Sequence, residues 1–182
     1  MDFSPIARIG LLLVRPGVLI ATSPVFGGTF APPLVRVGVV VIVTLALAPT
    51  VPMPETVGGA GMAMVALRET LIGLALSFSI RIIVAGAEFA GHLGGFQVGF
   101  GYASLIDPQS GARNSVLSAL YANMALMTFL AINGHHQMLH ALSASYVALP
   151  PGGSIVSGDM ATLVGRTLAQ IFVIGLRMSL PI

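Results

Sequence analysis

Long apolar stretches separated by proline- and glycine-rich turns dominate this chain. The pattern predicts six apolar helical segments. The first runs from Pro5 to Thr22 and meets a turn from Ser23-Pro24 through Pro32-Pro33. The second runs from Leu34 to Ala48 and stops at Pro49, Pro52 and Pro54. Proline lacks a backbone N–H and disfavours helical geometry in the residue before it, so these positions close helices. After Gly58-Gly59, the third segment runs from Met62 to about Ala90. A glycine-rich stretch follows from Gly91 to Gly101, then a polar loop around Asp107-Pro108. The fourth segment is Ser115 to Ile132. A shorter one, His136 to Leu149, ends at Pro150-Pro151-Gly152-Gly153. The last begins near Asp159 and is still running at Pro181-Ile182.

Segment length sets the solvent. A bilayer core of about 30 Å needs about 20 apolar residues in a helix. The first, second, fourth and last segments are near that length. The third, at about 29 residues, would reach about 43 Å, longer than a simple span. His136 to Leu149 is too short to span. The expected fold is therefore all-α: a polytopic integral membrane protein with about five to six hydrophobic helices, some short or re-entrant. Such uneven lengths suit a packed assembly better than a row of standard spans. No internal repeat or low-complexity linker divides the sequence, so its 182 residues are expected to form a single membrane domain.

Composition strengthens the membrane reading. Hydrophobic residues make up 55% and charged residues 8%, with a mean hydropathy of +0.96. A soluble domain carries about 25% charged residues. The net charge of +2 comes with arginines scattered singly at Arg8, Arg15, Arg36, Arg68, Arg81, Arg113, Arg166 and Arg177. No basic run exists, so nucleic acid is not an expected partner. The absence of cysteine excludes disulfides, iron–sulfur clusters and thiolate chemistry. Asp2 occupies the place of a basic leader region, and Arg8 and Arg15 interrupt the apolar run, so the N-terminal segment reads as a retained membrane helix. Arg36 and Arg113 place the positive connections before the second and fourth segments, which favours an external N-terminus.

Charges inside an apolar helix cost a few kcal/mol on insertion scales and therefore face a partner or a water-filled space. The third segment carries Arg68, Glu69, Arg81 and Glu88. Two roles fit them: ion pairs between subunits or the lining of a polar channel, and structural ion pairs within one chain. Arg81 and Glu88 share a helix face but sit about two turns apart, so each is expected to find its partner elsewhere. Small residues recur at helical spacing in Gly73-x-x-x-Ser77 and Gly86-x-x-x-Ala90-x-x-x-Gly94, which would let helices approach closely.

The most unusual local feature lies between Glu88 and Gly101. Five glycines in eleven residues make helix continuation expensive, at about 1 kcal/mol each. Irregular backbone at membrane depth survives only when buried in protein or lining a cavity. A movable loop inside a pore meets that condition, with Phe96, Phe100, Tyr102, Leu105 and Ile106 bulky enough to block it; an ordinary re-entrant turn is the alternative. His136 and His140 share a helix face, but no carboxylate or thiol lies near them or His135, so polar residues at a helix start are the expected reading. Asn133-Gly134 would close the preceding helix. The sequence contains neither a G-x-S-x-G elbow nor a phosphate-binding loop, and no enzymatic activity and no cofactor are expected.

Taken in order, several marks resemble one family. They are Arg15 with Pro24, Arg36 with Pro49, Leu71-Ile72-Gly73-Leu74-Ala75-Leu76, and Gly86-Ala87-Glu88-Phe89-Ala90-Gly91. Gln97-Val98-Gly99, Asp107-Pro108, Asn133-Gly134-His135, Ser145 before Leu149-Pro150, and Leu180-Pro181 continue the series. The sequence resembles the FliR family of type III secretion export gates along essentially its whole length. The resemblance implies a subunit that assembles with FliP-like and FliQ-like subunits into a pore in the bacterial inner membrane, at the flagellar basal body. FlhB-like and FlhA-like export components would lie nearby, and unfolded flagellar proteins would be the exported cargo. The segment from Gly94 to Arg113 is similar to the plug that seals such pores, which makes Gly94, Gly95, Phe96, Gln97, Gly99, Phe100, Tyr102, Leu105, Ile106, Asp107 and Pro108 the candidate plug residues. Family members continue past the residue matching Pro181, so this chain is expected to correspond to the N-terminal portion of a FliR-like protein. A virulence-type secretion subunit and a small-molecule or metal transporter are the competing readings.

Overall fold

The computed structural model describes residues 5–27, 31–51, 59–99 and 116–151. Among them the chain forms five α-helices and no strand. They are α1 (Pro5–Thr22), α2 (Pro33–Leu47), α3 (Gly59–Gln97), α4 (Val116–Ala131) and α5 (Gly134–Ala148). The predicted segments from Pro5 through Leu149 are all present as helices, with shifts at their ends. The predicted segment beginning near Asp159 lies outside the described residues.

Helix boundaries follow local chemistry. Pro5 and Pro33 stand at helix starts, where a missing N–H costs nothing because the first-turn donors have no intrahelical acceptor. Pro32 precedes α2 with φ −56° and ψ 145°, the extended geometry that a following proline demands. Between α4 and α5 the chain breaks at Asn133, whose φ of 58° is left-handed. Asparagine is among the few residues that tolerate that conformation, and it ends α4 as the Asn133-Gly134 pair predicts.

The largest departure from expectation is at the end of α3. The helix does not stop near Ala90 but continues through Gly91, Gly94 and Gly95 to Gln97. At 39 residues it is about 58 Å long. Gly91 shows why the glycines are admitted: a Cβ there would lie 2.6 Å from the Ser118 Cα of α4. The propensity cost is offset by close helix–helix approach, which matters most where lipid replaces water and apolar burial drives little.

The chain divides into two compact units. One comprises residues up to Phe78 together with His135–Val164, and so holds α1, α2, the first half of α3 and nearly all of α5. The other holds the second half of α3 and α4. In the first unit a small core forms around Leu11, Leu12, Leu19, Ile20, Val65, Met138 and Leu142. Gly17 of α1 faces Val40 of α2, and a Cβ there would make only an ordinary van der Waals contact at 3.8 Å.

Much of the remaining apolar surface is uncovered. On α2, Leu34, Val37, Ile42 and Leu45 are exposed. On α3, Met64, Leu67, Leu71, Leu74 and Phe78 form an exposed stripe at alternating spacings of three and four residues. On α4, Val116, Leu120, Met124 and Met127 are exposed. Water is a poor solvent for such faces. α3 is long and apolar enough to cross a membrane, and α2 is a shorter apolar helix. The described fold is that of a membrane helical protein.

Candidate functional site

A fully buried arginine lies at the centre of the first unit. Arg15, in the middle of α1, donates from Nε to Glu69 Oε2 at 2.7 Å and from Nη2 to Glu69 Oε1 at 2.8 Å. This two-pronged pair joins α1 to α3, and both side chains are completely shielded from solvent. The guanidinium then reaches α5: Nη1 donates to Ser145 Oγ at 2.9 Å, and Nη2 donates to the Leu149 carbonyl at 2.9 Å. Ser145 in turn donates its own hydroxyl proton to the Leu142 carbonyl at 2.6 Å. The face of the guanidinium sits 4.1 Å from the centroid of the Tyr146 ring.

Each contact answers a specific need. A buried charge is tolerated only when paired and hydrogen-bonded, and a planar fork matched to a carboxylate is the strongest such pairing available. Leu149 lies just past the end of α5, where carbonyls lack intrahelical donors and the helix dipole favours a cation. Pro150 and Pro151 have no backbone N–H, so the chain cannot continue α5 by bonding the carbonyls of Tyr146 and Val147.

Tyr146 makes a further contact that the α1 sequence requires. Pro16 lies inside α1 and has no N–H to give to the carbonyl four residues earlier, that of Leu12. The Tyr146 hydroxyl donates to that Leu12 carbonyl at 3.1 Å. Proline is accepted in membrane helices when a neighbour satisfies the group it frees, and here α5 supplies the donor.

Polar and small residues extend the α1–α3 seam beyond the ion pair. A Cβ on Gly73 would lie 2.8 Å from the Arg15 carbonyl and 3.0 Å from Val18 Cβ, so only glycine permits this approach. One turn further on, the Thr22 hydroxyl donates to the Val18 carbonyl and shares a 2.6 Å hydrogen bond with the Ser77 hydroxyl. The Gly73-x-x-x-Ser77 face is therefore a helix contact, as its spacing predicts.

The candidate charges divide into separate environments. Glu69 is paired within the chain, with Arg15. Arg68, beside it, is also buried. Arg81 is exposed and Glu88 is half-buried, and neither makes an ion pair with a described residue. Of the candidate plug residues, Gly94, Gly95, Phe96 and Gln97 form the last turn of α3 rather than a loop. Gly99 follows with a left-handed φ of 89°, and Phe96 and Gln97 are exposed. Phe100, Tyr102, Leu105, Ile106, Asp107 and Pro108 lie outside the described residues. The His135 and His136 rings approach to 4.3 Å between centroids, whereas His136 and His140 are exposed. No group of three or more metal-binding side chains occurs among the described residues.

Ser145 and Leu149 stand out in the sequence only as marks of a resemblance, and nothing in it joins them to Arg15. The available signal was the Arg15-Pro16 pair in mid-helix: a charge needing an acid and a carbonyl needing a donor.

A buried charged cluster tying together helices whose outer faces are apolar marks a helical membrane protein. The chain belongs to the family described as bacterial export proteins, family 1, whose model matches residues 6–182. Three relatives, each named flagellar biosynthetic protein FliR, are similar along nearly the whole chain. The one from Escherichia coli (strain K12) is 30% identical over 171 residues, covering 93% of this chain and 66% of the relative. The one from Pectobacterium carotovorum is 31% identical over 170 residues, covering 93% and 65%. The one from Bacillus subtilis (strain 168) is 27% identical over 176 residues, covering 94% and 68%. The chain thus spans about two thirds of the length of these curated relatives.

Proposed function

We propose that this chain is a non-enzymatic subunit of the flagellar type III protein export gate in the bacterial inner membrane. In this reading its 182 residues act as one membrane domain. FliP-like and FliQ-like subunits cover its apolar helix faces, and together they form the pore through which unfolded flagellar proteins leave the cytoplasm. FlhB-like and FlhA-like components stand beside it. The segment from Gly94 to Arg113 serves as the plug of the closed pore, and Arg81 and Glu88 are charges available to neighbouring subunits or to the channel.

The observation that carries this reading is the family match over residues 6–182, together with the similarity to three relatives named flagellar biosynthetic protein FliR. The exposed stripe on α3 and the exposed apolar faces of α2 and α4 support it, since they need other helices or lipid against them.

The test is purification of the tagged protein from gently solubilised membranes of its own cells, with mass analysis of the proteins that accompany it. A large complex holding two other small helical membrane proteins is the expected result. A lone monomer or simple homodimer would refute the assembly. Deleting Gly94 to Arg113 in the assembled complex is expected to make the membrane leak ions, and a fully sealed membrane would refute the plug.

A further inference from the structure

Among the described residues, the polar contacts between the C-terminal end of α5 and α1 fall on the stretch from Leu12 to Arg15, directly before Pro16. Ser145 and Leu149 accept from Arg15, and Tyr146 donates to Leu12. The backbone of α1 is interrupted at that same place, because Pro16 cannot donate to Leu12. We propose that Tyr146 is a latch on the proline break of α1, holding the helix at one bend while its hydroxyl occupies the Leu12 carbonyl and freeing the helix to bend when it leaves.

The latch has a holder and a place to go. Arg15 stacks 4.1 Å over the Tyr146 ring and keeps it beside Leu12. Tyr146 is 3% exposed, yet it also lines an open pocket of about 590 Å³ between the end of α2 and α5, together with Leu47, Val51, His140, Val147 and Pro150. A turn of the ring into that pocket breaks the bond to Leu12 without unpacking α1 from α3, because Gly73, Thr22 and Ser77 hold that seam separately. A shift of the α5 end removes all three contacts together, so the state of α5 sets the flexibility of α1. The inference concerns this chain alone and does not rest on the export role.

The experiment is a double-mutant cycle on the full chain in lipid nanodiscs, read by amide hydrogen exchange across α1. Tyr146→Phe keeps the ring, its packing and its stacking on Arg15, and removes only the hydroxyl. Exchange around Leu12 to Leu19 is expected to quicken by roughly two- to tenfold, the range that one hydrogen bond accounts for. In a Pro16→Ala background the restored N–H at position 16 satisfies Leu12 from within the helix, so the same substitution is expected to change nothing. An equal effect in both backgrounds, or none in the native one, overturns the latch. Where Pro16→Ala fails to fold, the carbonyl stretch of Leu12, isotopically labelled at that carbon, replaces the cycle. It is expected to move to higher wavenumber in Tyr146→Phe, and an unmoved band overturns the proposal.

Discussion

The two halves of α3 solve the same problem by different means. In the first half a charged residue, Glu69, is bound by Arg15 of α1, and Gly73 and Ser77 complete the seam. In the second half Gly91 brings the helix backbone close to Leu117 and Ser118 of α4. The charges there, Arg81 and Glu88, make no ion pair with a described residue. The contrast teaches where specificity resides. A two-pronged ion pair fixes register and rotation of one helix on another, because only one geometry satisfies both partners. A glycine contact admits close approach but directs it weakly. The first half of α3 is thus locked to α1 by a charge pair, and the second half owes its close approach to α4 to a glycine.

Removal of one partner from the ion pair is the largest expected way to break this contrast. Glu69→Ala leaves Arg15 buried with its main acceptor gone, and a loss of about 3–5 kcal/mol is expected, read as unfolding free energy in mixed micelles. The second half gives way more gently. Gly91→Val places side-chain atoms on the Ser118 backbone and is expected to cost about 1–3 kcal/mol by the same measurement. Gly38→Ala supplies the control, since a Cβ there meets nothing within 4 Å, and a gain of up to about 1 kcal/mol in helix stability is expected. Ser77→Ala removes one hydrogen bond to Thr22 and is expected to cost about 0.5–1.5 kcal/mol. Arg81→Gln sharpens the comparison from the other side: this exposed charge is expected to change the stability of the isolated chain by less than about 0.5 kcal/mol. An effect of Arg81→Gln that appears only in an assembled complex would assign the residue to a neighbouring subunit.

The helices were legible because hydrophobic runs and prolines are local signals. Pro5 and Thr22 bound α1 as read from the sequence, and α4 and α5 fall where Asn133-Gly134 divides them. The end of α3 was not legible, because the cost of Gly91, Gly94 and Gly95 is visible locally while the packing against Ser118 that offsets it is not. The same limit hid the arginine cluster. Arg15 and Glu69 are 54 residues apart, and Ser145 is 130 residues from Arg15. Periodicity shows that Glu69 needs a partner, but no spacing rule selects Arg15 over Arg8 or Arg68. Tyr146 was hidden for a subtler reason: its role comes from a backbone bond that Pro16 removes in another helix.

The central claim is that Arg15 and Glu69 form one structural unit that fixes α1 on α3. Its most direct test is the cycle of Arg15→Met, Glu69→Leu and the double substitution, measured as unfolding free energy in mixed micelles. Each single change strands a buried charge, whereas the double change removes both and leaves apolar groups of similar volume. The double variant is expected to recover most of the stability lost by either single variant. Losses that simply add would contradict it and show that the two residues do not depend on each other.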